Sequence, residues 1–251
     1  WPNAANINPA SFVDALFSTH LYTGNGTAGR NIENGIDLTK GGLVWIKGRE
    51  TGPGGGSQGN THDLYDTARG VSQWLTTANT YGSTAQGSGN GITAFNSNGF
   101  TIGSAYNGSE NSNGEDTVAW TFRKQPKFFD IVTYTGNSIG GTTINHNLGS
   151  VPGMIIVKNT SHGSSNWRVY HRGSDSSAPE DYVFLLNDTN ERYDSDSYWN
   201  DTAPTSTQFT LGGDDDVNDH GDSYVAYLFA HHDNDGGFGE PGDQDIIKCG
   251  S

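Results

Sequence analysis

The chain has 251 residues, a formal net charge of −15 and 36 glycines, and only 16% of its residues are charged. Such acidity excludes a surface that tracks nucleic-acid phosphates, and no stretch is long and apolar enough for a membrane-spanning helix. A single cysteine, Cys249, excludes an internal disulfide framework. Ala, Leu, Glu and Lys are too scarce for long helices, whereas Gly, Asn, Ser, Thr and Asp with 11% aromatics suit short strands joined by many turns. The apolar residues cluster in strand-like runs, which argues against disorder.

The first residue is Trp1, which implies a processed chain or a piece of a longer one. Residues 1–18 read as an N-terminal arm, either one short helix or irregular, with Phe12, Val13, Leu16 and Phe17 facing inward. A first unit, residues 19–126, then offers strands at HLYTG, NIENGIDL, GLVWIKG, HDLYDT and SQWLTT. GITAFNSNGFTIGS reads as a hairpin turning at Asn96–Gly99, and DTVAWTF closes the unit. GLVWIKG is apolar enough to be buried on both faces, while DTVAWTF alternates. The glycine-rich stretches Thr51–Thr61 and Ala78–Gly91 read as connections, and the first lacks the Lys and Ser/Thr of a phosphate-binding loop.

A second unit, residues 127–232, repeats the first in order. Tyr22 and Tyr134, in the shared word LYTGN/TYTGN, stand 112 positions apart. GMIIVK answers GLVWIK at 111, QFTLGG answers GFTIGS at 109, and GDSYVAYLF answers GEDTVAWTF at 107. WRVYHRG answers HDLYDTARG, both with a Tyr and both ending in Arg-Gly. Blocks in one order at one spacing mark an internal duplication. About seven strands in roughly 110 residues is the size of an antiparallel β-sandwich, so the expectation is an all-β chain of two tandem antiparallel β-sandwiches. KFFDIVTYTGN (127–137) is then a boundary, reached from VAWTF through the short Arg123–Pro126 link, which predicts two units held in a fixed orientation. Residues 233–251 form a Gly/Asp-rich linker ending in DIIKCGS, a partial copy of the unit-opening strand. It either closes back on unit two or begins a third unit.

Motifs such as LYTGNG, GLVWIK, DTARGV, FNSNGFTIGS, HNLGSVPGMIIVK, WRVYHRG and YVAYLFAHHD run from about Asn8 to Ser251. On these words the chain resembles a tandem β-sandwich domain of bacteriophage tail-fibre and virion-surface proteins, notably those of cyanophages and other marine phages. The resemblance implies a concanavalin-like or jelly-roll sandwich and a structural or adhesive virion protein. It carries no catalytic residues.

The chemistry legible in the residues is sparse. His231, His232, Asp233 and Asp235 do not make a transition-metal set, because adjacent histidines at a strand end tend to face opposite ways. Asp233, Asp235 and Asp243, with Glu240, offer oxygen ligands in a glycine-rich loop and are the candidate Ca²⁺ ligands, although the EF-hand pattern is absent. Asp214–Asp216 with Asp219 is a second acidic tip, read more simply as a charged turn. His171 beside Arg172, and Asp66 near Arg69, carry no warrant for acid–base work. The Arg-Gly pair recurs in both units and reads as structural. No Gly-x-Ser-x-Gly nucleophile elbow is present. Aromatic faces beside Asp and Asn suit sugars, so Tyr193, Tyr198 and Trp199, with Tyr81 and Tyr106 in unit one, are the candidate glycan-binding residues. In the competing reading, Tyr198 and Trp199 plug the end of the sandwich. The expected function is a non-enzymatic virion-surface or tail-fibre protein, extracellular, with copies of itself (in trimers, as fibre proteins are) or other virion proteins as partners. It would neither bind nucleic acid nor insert in a membrane. A Ca²⁺-dependent lectin-like module that binds host surface glycan is the alternative, and a glycan-degrading tail enzyme a weaker one.

Overall fold

A computed structural model describes residues 13–49, 61–85, 87, 89–104, 110–234, 238 and 244–250. The first repeat contributes β1 (Phe17–Thr23), β2 (Arg30–Glu33), β3 (Gly42–Gly48), β4 (His62–Asp66), β5 (Gln73–Thr76), β6 (Thr84–Ala85), β7 (Ile92–Asn96), β8 (Gly99–Ile102) and β9 (Asp116–Arg123). The second contributes β10 (Phe129–Thr135), β11 (Thr142–Asn145), β12 (Pro152–Asn159), β13 (Arg168–His171), β14 (Tyr182–Leu185), β15 (Tyr193–Asp194), β16 (Gln208–Leu211) and β17 (Ser223–Ala230). Two four-residue helices, α1 (Asp196–Trp199) and α2 (Asp215–Asn218), flank β16.

The fold is all-β and its sheets are antiparallel, as the alternating strands and dense turns require. One six-stranded sheet runs β1-β9-β3-β4-β5-β6 and the other β10-β17-β12-β13-β14-β15, the same path traced twice. The smaller sheet β2-β8-β7 covers the first, and the pair β11-β16 covers the second. The predicted hairpin is present: β7 and β8 pair through the Asn96↔Gly99 register, with Ser97 and Asn98 as its two-residue tip. Phe17 lies in β1 rather than in an arm, where its ring packs on Phe122 at 4.8 Å, and Leu16 is fully buried. Phe12 lies outside the described residues.

The two large sheets also pack on each other. Because successive side chains in a strand point to opposite faces, β3 sends Leu43 toward the second repeat and Val44 and Ile46 toward its own small sheet. In β17, Val225, Tyr227 and Phe229 join Leu43, Leu64, Leu75, Ile156 and Trp167 in this middle core. Tyr224, Ala226, Leu228 and Ala230 face the outer core of the second repeat. The molecule therefore has four layers and three cores, and the middle core belongs to both repeats. An alternating strand predicts one solvated face. β17 is instead buried from Tyr224 to Ala230, because the other repeat covers its second face. Phe128, Phe129 and Ile131, from the word at the repeat boundary, sit in this middle core. The closing segment does the same: Ile246 and Ile247 pack against it, Cys249 is buried within it, and the Ile247 carbonyl accepts from His232 N at 2.9 Å. DIIKCGS thus closes back on the second repeat.

Polar groups that enter the shared interface are paired, as burial demands. Tyr227 donates its hydroxyl to Asp66 Oδ2 at 2.7 Å, and Arg69 Nε meets the same oxygen at 2.6 Å. Trp167 Nε1 donates to the Thr76 carbonyl at 3.0 Å. Lys158, with no exposed surface, donates Nζ to the carbonyls of Ser165 (2.7 Å) and Thr80 (2.9 Å).

The shared word TGN now has a physical meaning. Gly24 and Gly136 each run so close beneath a loop that a Cβ would lie 2.1 Å from the Ser112 carbonyl oxygen or 2.2 Å from that of Asp219. A fully buried asparagine ties each loop down. Asn111 accepts from Asn25 N and donates to the carbonyls of Thr27 and Gly103. Asn218 accepts from Asn137 N and donates to those of Ile139 and Gly212. Tyr22 and Tyr134 complete the match by donating to the carbonyls of Glu110 and Val217.

Two outcomes follow from this packing. Asn218→Ala leaves two buried carbonyls and one N–H without partners, and urea unfolding should show a loss of about 2–4 kcal/mol. Burial lowers the Lys158 pKa from an ordinary 10.5 to about 8, so above that pH the unfolded chain binds a proton that the folded chain has lost. Unfolding free energy should therefore rise with pH from about 8 toward 10, and Lys158→Met should flatten the rise. Near pH 10 and above, Tyr134 and Tyr227 act the other way, because burial holds their hydroxyls protonated after the unfolded chain has begun to ionise.

Candidate functional site

The β14–β16 connection carries three of the sequence-predicted aromatics. Ser195 Oγ caps α1 by accepting from Ser197 N, and Asn200 ends the helix in the left-handed region at φ 53°. This single turn drives Tyr198 and Trp199 inward, where they are 6% and 2% exposed in the outer core. The Trp199 ring meets Tyr170 edge-on at 6.1 Å. Their faces are covered, so they close the end of the sandwich and do not present a sugar platform. Tyr193 is the exposed member, at 37%, and donates its hydroxyl to Tyr198 at 2.9 Å.

Arg168, which no motif singled out, organises this corner. Its guanidinium lies 4.2 Å over the Tyr198 ring and donates to the Tyr193 hydroxyl. It also grips Asp216 Oδ2 through Nε (2.8 Å) and Nη2 (2.7 Å). The acidic tip is thus a braced turn: Asp214 caps α2 by accepting from Asp216 N, and Asp216 serves Arg168. Burial, with the nearby Asp216 charge, raises the Asp214 pKa.

Tyr81 stands on a different loop, 57% exposed, beside Gly163 at the seam between repeats. There Thr80 Oγ1 donates to the Gly163 carbonyl and Ser83 N to that of Thr160. Tyr106 lies outside the described residues, as do Asp235 and Asp243. Asp233 is exposed and paired with Lys248 at 2.7 Å, a contact that lowers its pKa. The adjacent histidines part company: His232 is buried near Phe238, while His231 lines a surface groove. Asp66 and Arg69 form the buried ion pair already described, which is structural. A further cluster, His162, Asp219 and Asp222, brings three ligand-type atoms within 4.8 Å of one another. His162 Nε2 already pairs with Asp222 Oδ1 at 3.0 Å, and Asp222 Oδ2 accepts from Asn159 at 2.8 Å.

That groove lies on the second repeat. It encloses about 410 Å³ between Val151, Pro152, Tyr170, Arg172, Pro179 and His231. A second depression of about 310 Å³ shares Arg172 and His231 and adds Lys248 and Gly250. The walls of the two come from the start of β12, from β13 with the loop after it, from the exit of β17 and from the closing segment, between Val151 and Gly250. The recurrence of Arg-Gly was the one available signal, and it read as structural in both repeats.

Duplicated sandwiches fused through a common core define the class of protein: an all-β tandem module. A family model described as a domain of unknown function, DUF7483, matches residues 13–240, and the chain belongs to that family. Comparisons with curated proteins and with solved structures find no match.

Trp199→Ala should cost about 3–5 kcal/mol in denaturant unfolding, as for other large core truncations. Tyr193→Phe, which removes only the hydroxyl bridging Arg168 and Tyr198, should cost about 1 kcal/mol. Equal losses would contradict the assignment of Trp199 as the plug.

Proposed function

We propose that this chain is a non-enzymatic structural protein of a phage virion surface or tail fibre, acting in adhesion to a host surface or in assembly with copies of itself or other virion proteins. One observation carries the reading. The two repeats share a core and are pinned across it by Tyr227–Asp66, Trp167–Thr76 and Lys158–Thr80. A unit so fused transmits force without a hinge and keeps its loops at fixed separations, which suits a fibre or capsid decoration more than a catalyst that must open and close. The word-by-word resemblance to tail-fibre and virion-surface sandwiches points the same way. Antibodies to the chain should decorate purified particles of the virus that encodes it in electron microscopy. Label found only in the soluble fraction of lysed host would overturn the proposal.

A second reading, a carbohydrate-binding module, is favoured by the groove beside Arg172, whose mixed polar and apolar lining suits a sugar. A glycan array run with and without chelator separates the two and tests the calcium requirement.

A further inference from the structure

We propose that the groove beside Arg172 is a binding site for a carboxylated sugar, with the carboxylate held by the Arg172 guanidinium and the ring lying against Val151 and Pro179. This rests on the adhesion reading and supplies its ligand class.

The duplication itself exposes the site. In β3 and β4, Leu43 stands opposite Asp66, and in β12 and β13, Met154 stands opposite His171. Leu43 and Met154 are equivalent in GLVWIK and GMIIVK, so His171 occupies the place of Asp66. In the first repeat Asp66 draws the following Arg69 into the interior and neutralises it. His171 cannot do so, since its Nδ1 accepts from Gly173 N at 3.1 Å. Arg172 directly follows His171 and so takes the place of Thr67, its N–H going to the Gly153 carbonyl as that of Thr67 goes to Gly42; no interior carboxylate stands before it, and it is exposed at the groove.

The other charges of the groove are occupied. Asp175 accepts from Ser177 N (2.9 Å), Ser177 Oγ (2.9 Å) and Ala178 N (3.2 Å), with Arg192 at 3.8 Å. Asp233 holds Lys248. The Arg172 side chain makes no hydrogen bond or ion pair among the described residues; its backbone N–H goes to the Gly153 carbonyl. His231 accepts from Cys249 N at Nδ1 (3.1 Å), so its neutral ring carries the proton on Nε2, which is buried and has no partner among the described residues. With no hydrogen bond or ion pair of its own, the exposed Arg172 guanidinium at the groove is the group left to receive an anion.

The choice of anion follows from what surrounds it. A planar guanidinium matches a carboxylate in a two-pronged pair. One unpaired cation, with Asp175 and Asp233 on the rim, disfavours a phosphate dianion. The net charge of −15 disfavours polyanions further. Val151, 52% exposed, and Pro179 provide an apolar wall for a pyranose face, and the rim carboxylates and Ser176 can accept or donate to ring hydroxyls. A volume of about 410 Å³ lies in the range of small-ligand pockets.

The test is an array of uronate- and sialate-terminated oligosaccharides alongside the same glycans with the carboxyl group reduced to an alcohol. Binding to acidic members at least tenfold above their reduced counterparts is expected. Arg172→Gln and Arg172→Ala should lower it by tenfold or more, with thermal unfolding unchanged because the side chain has no partner to lose. Lys40→Ala, a surface charge outside the groove lining, should leave it intact. Equal binding to acidic and reduced glycans, or full binding by both Arg172 variants, overturns the site. So does an array with no signal, even if antibodies label the virus particles, in which case the virion assignment stands and the sugar site falls.

Discussion

Everything in this molecule depends on two large sheets burying their inner faces against each other. A sandwich of this size needs one buried face per sheet, and the small sheets β2-β8-β7 and β11-β16 already provide that. Covering the second face of each six-stranded sheet puts the central strands β3, β12 and β17 in contact with apolar side chains on both sides. They must then be apolar at almost every position, and any polar atom among them must find a partner inside. Tyr227, Asp66 and Arg69 meet that demand as a group, since a lone buried carboxylate would cost several kcal/mol. Lys158 meets it by donating to two backbone carbonyls. The Tyr227–Asp66 and Lys158–Thr80 bonds cross from one repeat to the other, so atoms that satisfy burial also set the angle between the sandwiches.

Duplication makes the molecule its own control. Where the two copies agree to the atom, the reason is backbone geometry: the TGN turn passes under a loop too closely for any side chain, and a buried asparagine in each copy holds that loop with three hydrogen bonds. Where the copies differ, the scaffold no longer constrains the residue. The Arg-Gly pair is the instructive case. Both copies carry an Arg-Gly after the strand, but at different distances from it: Arg69 stands three residues past Asp66 and is an interior clamp, whereas Arg172 follows His171 directly and is a surface cation.

This division bears on function. The rigid parts are the middle core and the pinned seams. The variable chemistry sits at strand ends and on the closing segment, where loops from several elements converge. A body of this kind holds a shallow recognition site steady without needing to move, which is consistent with adhesion or assembly and places little demand on dynamics.

Much of the fold was legible in the residues. Repeat spacing, strand order, the Asn96–Gly99 hairpin and the double burial of GLVWIK all follow from local pattern, because alternation and turn chemistry act over a few residues. Trp199 as a plug was one of two readings open to a residue in an Asp-rich loop, and only packing against Tyr170 decided between them. The middle core could not be read at all. An alternating strand looks the same whether its second face meets water or another sheet, and aromatic residues such as Tyr227 and Trp167 suit either. The groove was hidden for a related reason: its walls come from segments up to about a hundred residues apart, and only the strand register shows that Arg172 matches Thr67 and not Arg69. The sequence by itself determined two antiparallel sandwiches and the words they share. Only the tertiary structure decided which faces meet and which charges are left over, because burial and pairing belong to contacts between distant segments.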